Sequence, residues 1–295
     1  GESRLAASRS TVCGFKPSYG LISRYGLVDL IPSMECCGIL SHSLKNIRDI
    51  VKTAAGPDEM DYSLPDNNSP DFSPNGTDPG KITLGIIKEA QSDLPAEEGK
   101  MFRNTLDELT QAGLTMKEIS LPDFSLFSLV HQVVGSVEAS SCAGRYDSVR
   151  YGQRIPGTRN WNEMFILSRG AAFGPLLKSY LFQGAFFQFE RYSSYENACR
   201  IRARLIKEMQ QIAAQVDFLV FPTVKYCPSD EPLPLEETCA QFALTAFANV
   251  SGQPALYLPA SHDSHSGFQL VGPAFSDARV LSLGEHLMNL RQGDR

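Results

Sequence analysis

Histidine is scarce in this chain, tryptophan occurs once, and no two cysteines have the spacing of a metal or redox pair. The seven cysteines (Cys13, Cys36, Cys37, Cys142, Cys199, Cys227, Cys239) are odd in number and include no C-x-x-C. They are predicted to be free thiols of a reducing compartment. His262 and His265 sit among Ser, Asp and Gly, the setting of a surface loop rather than of a zinc site. No metal and no cofactor are expected. No apolar run approaches the roughly 20 residues needed to cross a bilayer. No signal or transit peptide is visible; a targeting segment could lie upstream of the sequence. Positive charge is also short: 27 Lys and Arg face 33 Asp and Glu, a formal net charge of -6. A free-standing nucleic-acid binder would be basic, although RNA contact within a larger assembly is compatible with this charge. A glycine-rich phosphate loop between strand and helix is missing too, which speaks against a plain nucleotide-binding domain. Internal repeats and low-complexity tracts are absent.

What is present is ordinary globular material. The 295 residues are 42% hydrophobic and 20% charged, enough for a sizeable core without staples. The densest punctuation falls between Cys13 and Gly26, with Gly14, Gly20, Gly26 and Pro17. Such a stretch predicts a sharply turned loop packed on a core, with short strands within residues 19–31.

Beyond it, Ser43 is a candidate N-cap for a helix carrying Leu44, Ile47, Ile50 or Val51, and Ala54, and Gly56-Pro57 stops it. Residues 57–80 read as a long exposed connection. A strand over 82–87, a helix over 97–112 with Phe102, Leu106, Leu109 and Ala112 inward, and a strand over 114–121 form a βαβ pattern. Residues 123–215 are helical. Phe182, Phe186, Phe187 and Phe189 are predicted to pack in the core. Arg200, Arg202, Arg204 and Lys207 are expected on a solvated helix face. A strand over 216–221, a Pro-rich loop over 225–236, a helix over 238–250, strands over 254–259 and 267–272, and a closing helix over 277–290 complete the pattern.

Several of these segments resemble the amidase signature family. Gly14-Phe15-Lys16-Pro17-Ser18-Tyr19-Gly20 and Ser23-Arg24-Tyr25-Gly26-Leu27 match its central tract almost letter for letter. Ser33-Met34-Glu35, Gly38-Ile39-Leu40, Glu138-Ala139, Arg145-Tyr146-Asp147 and Tyr151-Gly152-Gln153-Arg154 follow in the family's order. So do Phe221-Pro222-Thr223, Asn249-x-x-Gly252-x-Pro254 and Gly267-Phe268-Gln269-Leu270-Val271-Gly272. Within the family these segments resemble mitochondrial-type A subunits of glutamyl-tRNA(Gln) amidotransferases. The resemblance implies an α/β fold with a mixed central sheet covered by helices on both faces, of which this chain is the C-terminal portion. It also implies one partial domain over 1–295. The signature region spans 1–57, a helical lobe with a βαβ start spans 81–215, and 216–295 return to the central sheet.

The resemblance further implies a Ser-Ser-Lys triad, in which a lysine and a bridging serine activate a nucleophilic serine. The family's lysine and bridging serine lie upstream of the nucleophile motif, where this sequence begins. Lys16 belongs to the Lys-Pro loop and is not that base. Ungapped alignment through Arg4 and Lys16-Pro17 puts Glu2 at the nucleophile position and Ser3 at a hydrophobic one; Ser3 is the only substitute nucleophile nearby. A carboxylate at position 2 would repel a developing oxyanion. Glutamine-using members carry an arginine where this chain has Tyr180, an acidic residue where it has Phe242, and a tyrosine that falls near His131. The lost ionic groups would grip the charged end of glutamine.

Two functions follow. In one, the chain is a catalytically inactive amidase-fold protein serving as a structural or interaction subunit of a larger mitochondrial complex, with protein partners completing the fold. Glu2 is then expected in a salt bridge. In the other, it is part of an active amidotransferase or amidase whose lysine and bridging serine come from a missing upstream segment.

Overall fold

A computed structural model describes residues 1–65, 71–72, 79–92, 94–223, 234–260 and 266–293. The proposed loop histidines His262 and His265, Cys227, most of the Pro-rich loop and much of the 57–80 connection lie outside the described residues.

Within the described residues seven strands form one sheet: β1 (Cys13–Lys16), β2 (Ile39–Ser41), β3 (Thr83–Ile87), β4 (Thr115–Ile119), β5 (Phe218–Pro222), β6 (Ala255–Pro259) and β7 (Gly267–Val271). Their order is β2-β1-β6-β7-β5-β3-β4. The first five in that order pair antiparallel, and β5-β3-β4 pair parallel. The sheet is therefore mixed, as expected.

Ten helices among the described residues surround it. They are α1 (Glu2–Arg9), α2 (Leu44–Ala54), α3 (Ala96–Gln111), α4 (Leu126–Cys142), α5 (Trp161–Ala172), α6 (Pro175–Phe189), α7 (Tyr192–Ala213), α8 (Leu235–Ala240), α9 (Ala246–Ser251) and α10 (Asp277–Gly293). Alternation along the strands splits the core in two. Phe218 and Val220 of β5, Leu256 and Leu258 of β6, and Phe268 and Leu270 of β7 face one cluster with residues of α2, α3 and α10. Leu219, Phe221, Ala255 and Val271 face the other, with residues of α4, α7 and α9. Helices thus cover both faces.

Local signals set several elements. Ser43 caps α2, its hydroxyl accepting from the Asn46 amide, and Leu44, Ile47 and Val51 turn inward. The β3–α3–β4 unit forms with parallel pairing, and β3 joins it to the main sheet through β5.

Other expectations are corrected. Residues 19–31 hold turns and one isolated bridge, Ile22 to Ala55, and no strand. Their amides are met by side chains instead: Arg24 N donates to Asp61, and Leu30 N and Ile31 N to Glu35. The strand of this region is Cys13–Lys16, inside the stretch read as a loop. Gly14 belongs to it because α1 crosses so closely that a Cβ there would lie 2.4 Å from the Ala7 methyl. Gly20 and Gly26 do take positive φ, 80° and 88°.

The helix expected over 238–250 is broken into α8 and α9. At the break the carbonyls of Leu244 and Thr245 turn to Gln269 and Arg4. Phe182, Phe186 and Phe189 are exposed rather than packed in the core; only Phe187 of the four contacts the buried cluster. They form the outward stripe of α6, whose opposite face presents Gly184 to α4. Arg202 is also not solvated: it donates to the Ser33 hydroxyl and to the carbonyls of Ser33 and Val250. Arg204 pairs with Asp123 and Glu208. Six cysteines are described and all are free thiols. No helix among the described residues is long and apolar enough to cross a membrane.

Candidate functional site

The first turn of α1 opens onto a cavity of about 310 Å³. The 30–36 loop, His131 of α4, the start of α6, Phe242 and Asn249 form the rest of its wall. Glu2, Ser3, His131, Tyr180 and Phe242 all line it, together with Lys16 and Cys36. Five positions scattered over 240 residues of sequence therefore converge on one space.

Their states differ. Glu2 is exposed and its carboxylate forms no hydrogen bond or ion pair among the described residues, so the expected salt bridge is absent. Ser3 turns its side chain against Gly38, where its hydroxyl fills the place of a Cβ, and it makes no hydrogen bond among the described residues. Tyr180 lies beside Gly135 of α4, and burial pushes its phenol up to about 12. His131 is kept neutral: loss of water contact, with Arg202 nearby, lowers its pKa to about 3.

Behind the cavity stands a polar brace that the sequence does not announce. Arg4 is 1% exposed. Its guanidinium donates to Gln269 Oε1 at 2.8 Å, the Thr245 carbonyl at 2.7 Å and Asn249 Oδ1 at 2.8 Å. Asn249 Nδ2 passes the chain on to the Met34 carbonyl, and Gln269 Nε2 donates to the carbonyls of Pro222 and Leu244. No carboxylate among the described residues bonds to Arg4, and burial lowers its pKa to about 10. Arg4, Asn249 and Gln269 each fall in a matched motif, and here they bind those motifs together.

Ser33 does the same for two more. Its hydroxyl donates to Glu138 Oε1 at 2.5 Å and its amide to Glu138 Oε2 at 3.0 Å. Arg202 closes the arrangement from α7. These half-buried charges share several partners, which holds the 30–36 loop against α4 and α7.

Lys16 is buried, its Nζ 2.7 Å from the Pro17 carbonyl and 3.7 Å from Cys36 Sγ. Burial lowers its pKa, while Cys36 and Asp277 act against that shift. No group of three or more metal-ligating side chains occurs among the described residues.

This mixed sheet, its two helical layers and its cavity at the first turn of α1 define an α/β protein of amidase type. The chain belongs to the amidase signature family: the family model described as Amidase matches residues 1–281. Among curated relatives, the A subunit of glutamyl-tRNA(Gln) amidotransferase from Natronomonas pharaonis is 33% identical over 299 residues, covering 97% of this chain and 70% of that protein. The corresponding protein of Borreliella burgdorferi is 32% identical over 297 residues, covering 97% and 61%. Among solved structures, the A subunit of the Thermotoga maritima glutamyl-tRNA(Gln) amidotransferase superposes with a TM-score of 0.71 at 21% identity, over 92% of this chain and 56% of that one. A crystal structure of an amidase gives 0.75 at 23%, over 98% and 60%. These two likenesses show the shared fold. The chain spans 61% to 70% of the length of these two curated relatives.

Proposed function

We propose that this chain is an amidase-fold protein that does not hydrolyse amides and acts as a structural or interaction subunit of a larger mitochondrial assembly. The observation that carries the reading is Glu2. Aligned on the family's motif it falls at the nucleophile position, it lines the cavity, and a carboxylate has no hydroxyl with which to form the ester-linked acyl intermediate. Ser3 offers no replacement, because its hydroxyl is turned to Gly38 and is bonded to neither a lysine nor a serine among the described residues. Tyr180 and Phe242 replace the ionic groups expected for glutamine with aromatic surface. The scaffold residues Arg4, Ser18, Asn249 and Gln269 are meanwhile all engaged. Groups that hold the fold are present and groups that would do the chemistry are replaced.

The partner class rests on the relatives, which are named as subunits of an amidotransferase. Their identity to this chain also favours a second reading, that of an active amidotransferase component whose lysine and bridging serine come from elsewhere.

Glutamine hydrolysis by the native, fully assembled protein separates the two. Ammonia release at background level, unchanged when Ser3 is replaced by Ala, is expected. Turnover that Ser3→Ala abolishes would establish the active reading instead. Purification from mitochondria as part of a multi-chain complex is expected, and a stable free monomer there would sink the subunit role.

A further inference from the structure

On the outward side of α6 every fourth residue falls in one row: Lys178, Phe182, Phe186 and Glu190, the last being the helix's C-cap residue. All four are exposed, Phe182 by 79% and Phe186 by 48%, and Phe189 beside them by 81%. Gly184 marks the midpoint of the row on the opposite face, where a Cβ would lie 2.0 Å from the Ser136 carbonyl. The helix is therefore seated firmly on α4 with its aromatic side in solvent. Neither charge in the row has an ion-pair partner among the described residues; Lys178 Nζ donates to the Gly170 carbonyl of α5. Each charge also stands toward the end that its own helix dipole disfavours, the cation near the N-terminus and the anion at the C-terminus. Reversed, the row keeps its phenylalanines and exchanges its charges.

We propose that α6 is a self-association surface, on which a second copy of this chain docks antiparallel across a two-fold axis at the level of Gly184. Phe182 of each copy packs against Phe186 of the other, and Lys178 of each meets Glu190 of the other. Rows of residues four apart interdigitate when two helices cross at about -50°, which lays the two rows side by side. The two-fold closes the contact, because each copy spends the same patch and leaves none to recruit a third. A parallel pairing would instead set Lys178 against Lys178 and Glu190 against Glu190. An anionic lipid surface or a nucleic acid would meet the Glu190 carboxylate on a chain of net charge -6. Phe189 and Tyr192 extend the exposed apolar surface past the row. This goes beyond the proposed subunit role and does not rest on it, because pairing of α6 and glutamine turnover are separate measurements.

Sedimentation velocity of the full chain tests it, and twice the chain mass of 32.4 kDa is expected. Lys178→Glu and Glu190→Lys each set like charges together at both ends of the pair, and each should weaken pairing at least about tenfold, more so at low salt. Mixing the two variants should restore pairing, because both contacts of the mixed pair again join Lys to Glu. A carbodiimide, which couples an ammonium to a carboxylate in contact, should link Lys178 of an isotope-labelled copy to Glu190 of an unlabelled one. A chain that stays monomeric at about 100 μM would overturn the proposal. So would charge variants that pair as well as the native chain, or that fail to pair with each other. Links from Lys178 to a different subunit, with none between copies, would give the surface to another partner and overturn it too. The crosslink uses the native chain, so it decides the matter even if a variant fails to fold.

Discussion

Asp277 accepts two hydrogen bonds from Ser18 across 259 residues of sequence, at 2.8 Å from its amide and 2.6 Å from its hydroxyl. Ser18 belongs to the Lys-Pro-Ser-Tyr-Gly tract, and Asp277 opens α10 with no exposed surface. The Ser18 hydroxyl also accepts from the Phe275 amide at 2.8 Å. The signature tract is thus fastened to the last helix. Ser18→Ala leaves the Phe275 amide and one Asp277 oxygen without their partner. A loss of about 1–3 kcal/mol is expected, read as a lower urea midpoint at unchanged slope.

Arg4→Lys should cost more than its conservative appearance suggests. A single ammonium cannot reproduce the fork that reaches Gln269, Thr245 and Asn249. About 3 kcal/mol of stability should be lost, because buried acceptors are left without donors. Equilibrium unfolding measures it, and a change below about 0.5 kcal/mol would remove the brace from the account.

Gly184→Ala tests the contact between α4 and α6. An added Cβ would lie 2.0 Å from the Ser136 carbonyl and 2.5 Å from the Ser140 Cβ. Neither helix can yield without shifting backbone, so a loss of about 1–3 kcal/mol is expected. Gly170→Ala on α5, where an added Cβ meets nothing within 4 Å, is the control and should be neutral or stabilising.

His131 gives a pH dependence of known sign. Its folded pKa, about 3, lies below the ordinary 6.5, so the unfolded chain binds the proton first. The stability it contributes is complete above pH 6.5 and declines as the pH falls from there toward about 3. The limiting slope is about 1.4 kcal/mol per pH unit. In the native chain the His131 ring resonances should not move between pH 8 and 5, a window set by the usual titration range of histidine. The loss of stability on acidification should be smaller in His131→Gln than in the native chain.

Much of the fold was legible because local rules decide it. The Ser43 cap, the inward stripe of Phe102 and Leu109, and the parallel β3–α3–β4 unit all follow from spacing along the chain. The failures occur where a distant partner outweighs local preference. Residues 19–31 have strand-like composition, yet Asp61 and Glu35 take their amides first. The segment 238–250 has helical composition, yet Arg4 and Gln269 draw carbonyls outward at its middle. The stripe Phe182, Phe186 and Phe189 looked like core because α6 is apolar on more than one face, and periodicity cannot say which face meets α4.

The sequence by itself determined the family, the presence of Glu2 and Ser3 ahead of Arg4, and the presence of two adjacent cysteines. These are matters of residue identity and order. Only the tertiary structure decided that Glu2, Ser3, His131, Tyr180 and Phe242 share one cavity, that the Ser3 side chain packs against Gly38, and that Cys36 meets Lys16 while Cys37 packs against the core. The reason is physical. A cavity is bounded by side chains from segments far apart in the chain, and the direction each one takes is set by the close packing of the sheet and helices behind it.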